Sequence, residues 1–218
     1  MRNRELTIAS AATIAVLGYI AMRAYARLPA GTMLPVHWTA TGEPDGMADA
    51  SIALAMPLLV CVLVSGMLFA IPKLEPLQDG LDRSASLLRT TWASLLALMA
   101  LVELFVAAPA FGLSLPAGAP IVGVGLLLIA IGNALPKSRP GFFIGIRTPW
   151  SLIDDDNWVA THRLGSRTMI AAGAMIVLSA VLPLVPAARV LMFWAATVTA
   201  VIPPVLYSYL HWRRAGSR

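Results

Sequence analysis

Residues 51–72 read SIALAMPLLVCVLVSGMLFAIP, a continuous apolar run that contains no charged side chain. A helix needs about 20 mostly apolar residues to cross the hydrocarbon core of a bilayer. Further uncharged runs cover residues 6–22, 90–102, 104–136, 168–188 and 190–212. The pattern of this first run is therefore repeated along the whole chain, which predicts several membrane-spanning helices.

The composition indicates the same class of protein. Hydrophobic residues make up 58% of the 218 residues, charged residues make up 12%, and the mean hydropathy is +0.77. Soluble globular domains carry about 25% charged residues. The chain is therefore predicted to be an integral membrane protein.

The run at 104–136 is too long for one helix, and it contains a cluster of turn-forming residues between Pro109 and Pro120. A turn there divides it into two helices. The predicted helices lie near residues 6–26, 52–72, 87–110, 119–136, 167–186 and 189–211. The fold class is all-α, a polytopic membrane protein with six transmembrane helices. We divide it into an N-terminal unit at 1–72, a connecting third helix at 73–118 and a C-terminal unit at 119–218.

Basic residues in short loops predict the orientation, because they are retained on the cytoplasmic side. With an inside N-terminus, Arg23, Arg27 and Arg189 lie outside, and the other thirteen of the sixteen basic residues lie inside. The chain is therefore predicted to have both termini on the inside, an N-in and C-in topology.

The basic pI of about 10.0 is explained by this asymmetry and by contact with anionic membrane lipid. We therefore predict no direct binding to nucleic acid. The lone cysteine, Cys61, lies inside the second predicted span and cannot form a disulfide within the chain.

Two polar segments interrupt the apolar pattern, and the first is the predicted outer segment at 28–50. It places His37, Trp38, Glu43 and Asp45 close together among Gly and Pro residues that favour turns. An imidazole with several carboxylates suits a divalent cation such as zinc, although the spacing matches no established ligand motif. The alternative is a structured cap in which Trp38 anchors at the membrane interface.

The second polar segment, on the predicted inner side, reads GNALPKSRPGFFIGIRTPWSLIDDDNWVATHRLG at 132–165. Asn133 falls at the end of the fourth span, where an amide is expected to find a hydrogen-bond partner. Pro136 and Pro140 stop the helix, and the phenylalanine cluster at 142–143 is expected to re-enter the membrane interface.

Residues 154–156 are three aspartates that can cap a short helix over 157–164. On that helix Trp158 and His162 are four residues apart and share a face, with Thr161 beside them, whereas Arg163 points elsewhere. Together with Arg147 and Trp150, these side chains could bind an anionic group or a peptide carboxylate. The alternative is an amphipathic interfacial helix whose polar pairs only stabilise the fold.

Glu103 is the only acidic residue well inside a predicted span. An isolated carboxylate at that depth costs about 2.5 to 3.5 kcal/mol on insertion scales. A proton relay is one interpretation, and a protonated or hydrogen-bonded structural side chain is the other.

The inner segment carries a family resemblance. Its GN, PK, RP, GIRTPW, W and THRLG elements closely resemble the signature of the SdpI family of bacterial membrane immunity proteins. The outer segment resembles the small domain that commonly precedes this signature, through its LP, PVHW, G and EPDG elements. Two positions depart from the pattern, Gly141 where Asn is usual and Ser166 where Gly is frequent.

The resemblance implies a six-helix, multi-pass protein of the bacterial cytoplasmic (inner) membrane that protects its cell from a secreted, membrane-active peptide toxin. In some members it also implies binding of a cytoplasmic repressor. The outer cap around His37, Trp38, Glu43 and Asp45 would meet the peptide toxin, and the inner segment would lock the helical bundle or report to the repressor.

The alternative function is a membrane-embedded transporter or a metal-dependent membrane enzyme. The sequence contains no HExxH, GxSxG or P-loop motif, and no paired charges lie within the spans. We therefore predict a non-enzymatic protein without a cofactor or a metal site.

Overall fold

Six apolar helices, each long enough to cross a membrane, form the body of the computed structural model, which describes residues 4–215. The membrane-spanning helices are α1 (Arg4–Tyr25), α2 (Ala50–Leu74), α4 (Ala85–Ala107), α5 (Ala119–Ala134), α7 (Asp155–Val181) and α8 (Pro186–Ala215). Two short helices, α3 (Gln78–Arg83) and α6 (Pro149–Leu152), lie in the connections. The predicted fold class with six helices long enough to span is confirmed.

Helix α7 (Asp155–Val181) begins and ends earlier than the fifth predicted span at 167–186. The short helix at 157–164 and the span at 167–186 form one continuous helix, α7, which begins at Asp155. Asp154 caps it as predicted, since its carboxylate accepts hydrogen bonds from the backbone N–H groups of Asp156 and Asn157. No proline separates the two predicted helices, so nothing in the backbone interrupts the hydrogen bonding.

The outer segment folds into a two-stranded antiparallel hairpin, which the sequence analysis did not predict. Strand β1 (Met33–Trp38) pairs with strand β2 (Pro44–Asp49). Leu34, Val36 and Trp38 pack towards α2 and α4, whereas His37 is exposed. The alternation is short and contains Pro35, which is tolerated because every strand of a two-stranded sheet is an edge strand.

The core consists of two groups of three helices. Buried residues of α1, α2 and α4, including Leu17, Cys61 and Trp92, form the first group. Residues of α5, α7 and α8, including Ile176 and Ala200, form the second. Helix α4 packs against α5 as well as against α1 and α2, and so joins the two groups.

The connections alternate between the two ends of the bundle. The hairpin joins α1 to α2 and lies beside the turn before α5, where a Cβ on Gly42 would come within 2.8 Å of the Ala117 carbonyl. We call this the hairpin end. Residues 75–84 and 135–154 meet at the opposite end, which we call the loop end, and the hydroxyl of Ser84 there donates to the Arg139 carbonyl.

Candidate functional site

The loop end contains a buried cluster of polar side chains, which we call the signature cluster: Thr148, Ser151, Asn157, Thr161, His162 and Ser208. All six are buried. They come from four places in the chain, namely the loop before α6, α6 itself, the first turns of α7 and the last third of α8. The cluster therefore holds the loop and two membrane helices together.

Asn157 is the centre of its hydrogen-bond network. Its amide nitrogen donates to the Ser208 carbonyl (2.9 Å), and its amide oxygen accepts from the hydroxyls of Thr161 and Ser208 (2.9 Å each). The Thr148 hydroxyl lies 2.6 Å from the Ser208 hydroxyl, and the Ser151 hydroxyl donates to the Ile146 carbonyl (3.0 Å). Every member has a partner, as buried polar groups at membrane depth require.

His162 uses both ring nitrogens inside the protein. Its Nδ1 lies 2.8 Å from the Trp158 carbonyl, which can only accept, and its Nε2 lies 2.9 Å from the Ile146 backbone N–H, which can only donate. These partners define a neutral imidazole protonated at Nδ1. The Trp158 ring stacks on it with centroids 4.1 Å apart, and its indole N–H donates to the Ser138 hydroxyl.

Gly145 is required beside this ring pair. Its φ is +120°, a backbone conformation that L side chains rarely adopt. A Cβ there would also come within 2.6 Å of the Trp158 ring. The glycine of the GIRTPW element therefore lets the loop lie directly on Trp158 and His162.

Glu75, which the sequence analysis missed, anchors the same loop from α2. Its side chain is buried, and its two carboxylate oxygens accept hydrogen bonds from the backbone N–H groups of Phe142 (2.8 Å) and Phe143 (2.9 Å). The residue follows the end of a span and precedes Pro76, a position that by itself indicates only a helix terminus. Its partners lie 67 and 68 residues away in the sequence, so no local pattern could identify it.

The remaining predicted residues of this end lie around the cluster. Arg147 is exposed, and its guanidinium donates to the Phe142 carbonyl (2.6 Å). Trp150 contacts Tyr209 and Trp212 of α8, with ring centroids 5.0 Å and 6.4 Å away. Asn133 and Arg163 are exposed, and the network described above does not include either.

At the hairpin end, His37 and Asp45 form an exposed pair, with Nδ1 of His37 2.5 Å from a carboxylate oxygen of Asp45. Trp38 packs edge-on against Phe105 of α4, with ring centroids 5.5 Å apart. Glu43 is exposed in the turn. His37, Trp38 and Asp45 line a groove of about 720 Å³ between the hairpin and the outer parts of α5 and α8.

The third acid of the hairpin has a local task. Asp49 caps α2, and the Ser51 hydroxyl (2.6 Å) and backbone N–H (2.9 Å) both donate to its carboxylate. These hydrogen bonds, the one from the hydroxyl first, hold the pKa of Asp49 below its ordinary value. The capping interaction is therefore present at neutral pH and is lost as the pH falls through that lowered pKa.

Across residues 4–215, no three His, Cys, Asp or Glu side chains are grouped to hold a metal ion.

The arrangement at the loop end suits mechanical coupling. Its hydroxyl, amide and imidazole groups are buried and paired with one another or with backbone. A group that is already paired and dry is poorly placed to bind a substrate or to transfer a proton. The hydrogen bonds at this end join α2, the loop, α7 and α8.

Comparison with known proteins agrees with the sequence signature. Residues 137–208 match the model of the SdpI/YfhL protein family. The chain is 31% identical over 99 residues to "Immunity protein SdpI" of Bacillus subtilis (strain 168), which covers 44% of this chain and 46% of that relative. No solved structure matches significantly. The matched region contains the signature cluster, and both matches support a relationship of this part of the chain to the SdpI/YfhL protein family.

Proposed function

We propose that this protein is an SdpI-like membrane immunity factor that gives resistance to a secreted, membrane-active peptide. It acts without catalysis, cofactor or metal. The observation that carries the proposal is the signature cluster. The family match covers the four parts of the chain that supply it, namely the loop, α6, α7 and most of α8, and buried side chains join these parts.

The supporting argument is one of coupling between the two ends of the bundle. Helices α7 and α8 run from the loop end to the hairpin end. At the hairpin end, Arg189 near the start of α8 donates to the Thr41 carbonyl of the hairpin turn (3.4 Å). A peptide that displaces the hairpin would therefore also displace α8, the helix that carries Ser208 of the cluster.

We further propose the inner-membrane orientation with both termini inside. The hairpin then meets the peptide toxin outside, and the loop end meets a cytoplasmic repressor where the organism has one. The loop end offers a polar cleft of about 560 Å³ for such contacts, lined by residues that include Asp79, Arg83, Arg139 and Asp155.

The test is survival of a susceptible bacterium that expresses the chain, challenged with purified membrane-permeabilising peptides while membrane potential is recorded by a dye. The wild type is expected to preserve the potential against at least one peptide. Ala substitution of Trp158 or His162 is expected to abolish that protection, and Ala substitution of the exposed Asp79 is expected to retain it. Measuring the membrane-inserted protein in the same cells separates lost function from lost folding.

Survival no better than that of cells with an empty vector, across the whole peptide panel, would refute the immunity proposal. Equal protection by every variant at equal abundance would instead remove the signature cluster from the mechanism.

A further inference from the structure

The hairpin is built on the first group of helices, but its turn rests on the second group. Leu34 of β1 packs with residues of α2 and α4, and the Trp38 ring packs against Phe105 of α4. The turn between the strands, residues 39–43, reaches the chain before α5 and the first turn of α8. It therefore bridges the boundary between the two groups at the hairpin end.

Gly42 is the point of closest approach between the turn and the second group. Its φ is +86°, and a Cβ there would lie 2.8 Å from the Ala117 carbonyl oxygen and 3.3 Å from the Gly118 nitrogen. Gly118 packs in turn on α7, because its own Cβ would lie 3.1 Å from the Ala180 carbonyl oxygen. The backbone of the turn thus lies directly on the chain that joins α5 to α7.

Arg189, in the first turn of α8, makes the second contact with the turn. Its two terminal nitrogens donate to the Thr41 and Leu182 carbonyls, both at 3.4 Å. These hydrogen bonds are long, since N–H···O distances are most often about 2.9 to 3.0 Å. Its Nε is buried and has no hydrogen-bond partner among the described residues, which is unfavourable for a donor. The guanidinium therefore holds the turn weakly.

The turn itself is well connected internally. The Thr39 N–H donates to the Glu43 carbonyl and the Gly42 N–H donates to the Thr39 carbonyl, both at 2.9 Å. The hydroxyls of Thr39 and Thr41 lie 2.7 Å apart. Movement is therefore expected at the contact between the turn and the second group, and not within the turn.

The groove of about 720 Å³ separates strand β1 from α5 and α8 beside this contact. The main direct helix contact between the two groups is that of α4 with α5. The turn is therefore a second bridge, placed at the end of the bundle where the groove keeps the hairpin and the second group apart.

We propose that residues 39–43 form a releasable clasp between the two groups of helices. In the closed form, which this structure shows, Gly42 and Arg189 keep α5 and α8 against the turn. On release, the hairpin stays on α2 and α4, the ends of α5 and α8 at the hairpin end move away, and the groove widens. The clasp is a property of the fold and does not depend on the immunity function.

Electron paramagnetic resonance between two nitroxide labels, in the full chain in lipid nanodiscs, measures the separation of the groups. The labels are placed at Tyr25→Cys, the last residue of α1, and at Ala187→Cys, in the first turn of α8, in a Cys61→Ala background. Both native side chains are exposed. Wild type is expected to give mainly one distance, that of the closed clasp.

Two variants release the clasp by different means. Arg189→Met removes every donor to the turn, and Gly42→Ala places a methyl group against the Ala117 carbonyl. Each is expected to raise the population of a longer distance at least about tenfold over wild type. Gly31→Ala is the matched control, because Gly31 also has a positive φ (+76°) but a Cβ there meets nothing within 4 Å. Arg23→Met, at an exposed arginine of α1, is the control for the lost charge.

A second label pair, at Tyr25→Cys and at the exposed Met47 of β2 as Met47→Cys, reports the position of the hairpin on the first group. This distance should stay unchanged in every variant. Identical distributions for wild type, Gly42→Ala and Arg189→Met with the first pair would overturn the proposal. So would an equally large change in the two controls, or a change in the second distance, because the hairpin would then have left the first group.

Discussion

At the scale of single residues, Glu75 and His162 do the same physical task from different helices. Each is a buried acceptor for backbone N–H groups of the loop that carries the signature, Glu75 for Phe142 and Phe143 and His162 for Ile146. An unpaired buried N–H costs about 1 to 3 kcal/mol. These two side chains stabilise the shape of the loop because they supply hydrogen-bond acceptors to its backbone N–H groups at positions away from water.

Glu75→Ala is therefore expected to destabilise the protein by about 2 to 4 kcal/mol, since it removes the acceptor of three backbone N–H groups, those of Leu77, Phe142 and Phe143. The exposed acid Asp79, four residues further along, provides the control, and Asp79→Ala should change stability by less than about 0.5 kcal/mol. Thermal unfolding of purified protein in detergent measures both. Equal melting temperatures for the two variants would show that the Glu75 carboxylate does not hold the loop.

Substitutions of Glu103 test whether this buried acid is a structural side chain or part of a proton relay. It is fully buried in α4, and within the described chain neither of its carboxyl oxygens has a hydrogen-bond partner. If the side chain is only structural, Glu103→Leu removes an unsatisfied polar group and should leave stability unchanged or raise it. Resistance should likewise persist in Glu103→Leu and Glu103→Gln. Loss of resistance in both, at normal protein abundance, would favour a proton-relay role.

At the scale of elements, the contact between α5 and α7 depends on small residues. A Cβ on Gly125 would lie 2.7 Å from the Gly173 carbonyl and the same distance from a Val177 methyl group. Such close backbone approach is typical of helix pairs in membranes, where packing and not the hydrophobic effect drives association. Gly165 of α7 allows a similar close approach, because the side chain of the loop residue Ile146 lies where a Cβ on Gly165 would be.

Gly125→Ala should therefore destabilise the protein by about 1 to 3 kcal/mol through overpacking. Gly66 in α2 is the matched control, because a Cβ there meets nothing within 4 Å. Gly66→Ala should be neutral or stabilising by up to about 1 kcal/mol, as the helix propensity of Ala predicts. Equilibrium unfolding in mixed detergent measures both variants. A larger loss at Gly66 than at Gly125 would contradict the assigned packing of α5 on α7.

At the scale of the whole molecule, the two ends of the bundle are chemically different. The hairpin end carries acidic residues on its two strands and turn, beside a groove lined by aromatic side chains. The loop end contains the signature cluster and most of the basic residues. The orientation prediction assigns the first end to the outside and the second to the cytoplasm, because basic residues are retained inside.

Cysteine labelling in intact cells checks that orientation. In a Cys61→Ala background, Glu43→Cys should react with a membrane-impermeant maleimide added outside, and Asp155→Cys should react only after the cells are permeabilised. Both positions are exposed, whereas native Cys61 is buried. Reaction of Asp155→Cys alone in intact cells would reverse the proposed sidedness, and with it the proposal that the hairpin meets a secreted peptide.

The amino-acid sequence was enough to predict the membrane class, the six helices and the resemblance to the SdpI family. Each depends on local information, such as the length of an apolar run or a contiguous motif. The same local rules identified the Asp154 cap and the shared face of Trp158 and His162. They placed the start of the fifth span too late, at 167 and not at Asp155, because a polar stretch within a helix looks like a connection until its buried partners are known.

The tertiary structure alone decided which distant residues meet. Glu75 reaches the loop across 67 residues, and Ser208 reaches Asn157 across 51. A hydrogen bond between such partners produces no periodic pattern in the sequence, because it depends on the distance between the two groups in the folded protein and not on their spacing along the chain. The hairpin was missed for the same reason, since β1 packs in part against Val106 and Ala107 of α4, which are remote in sequence.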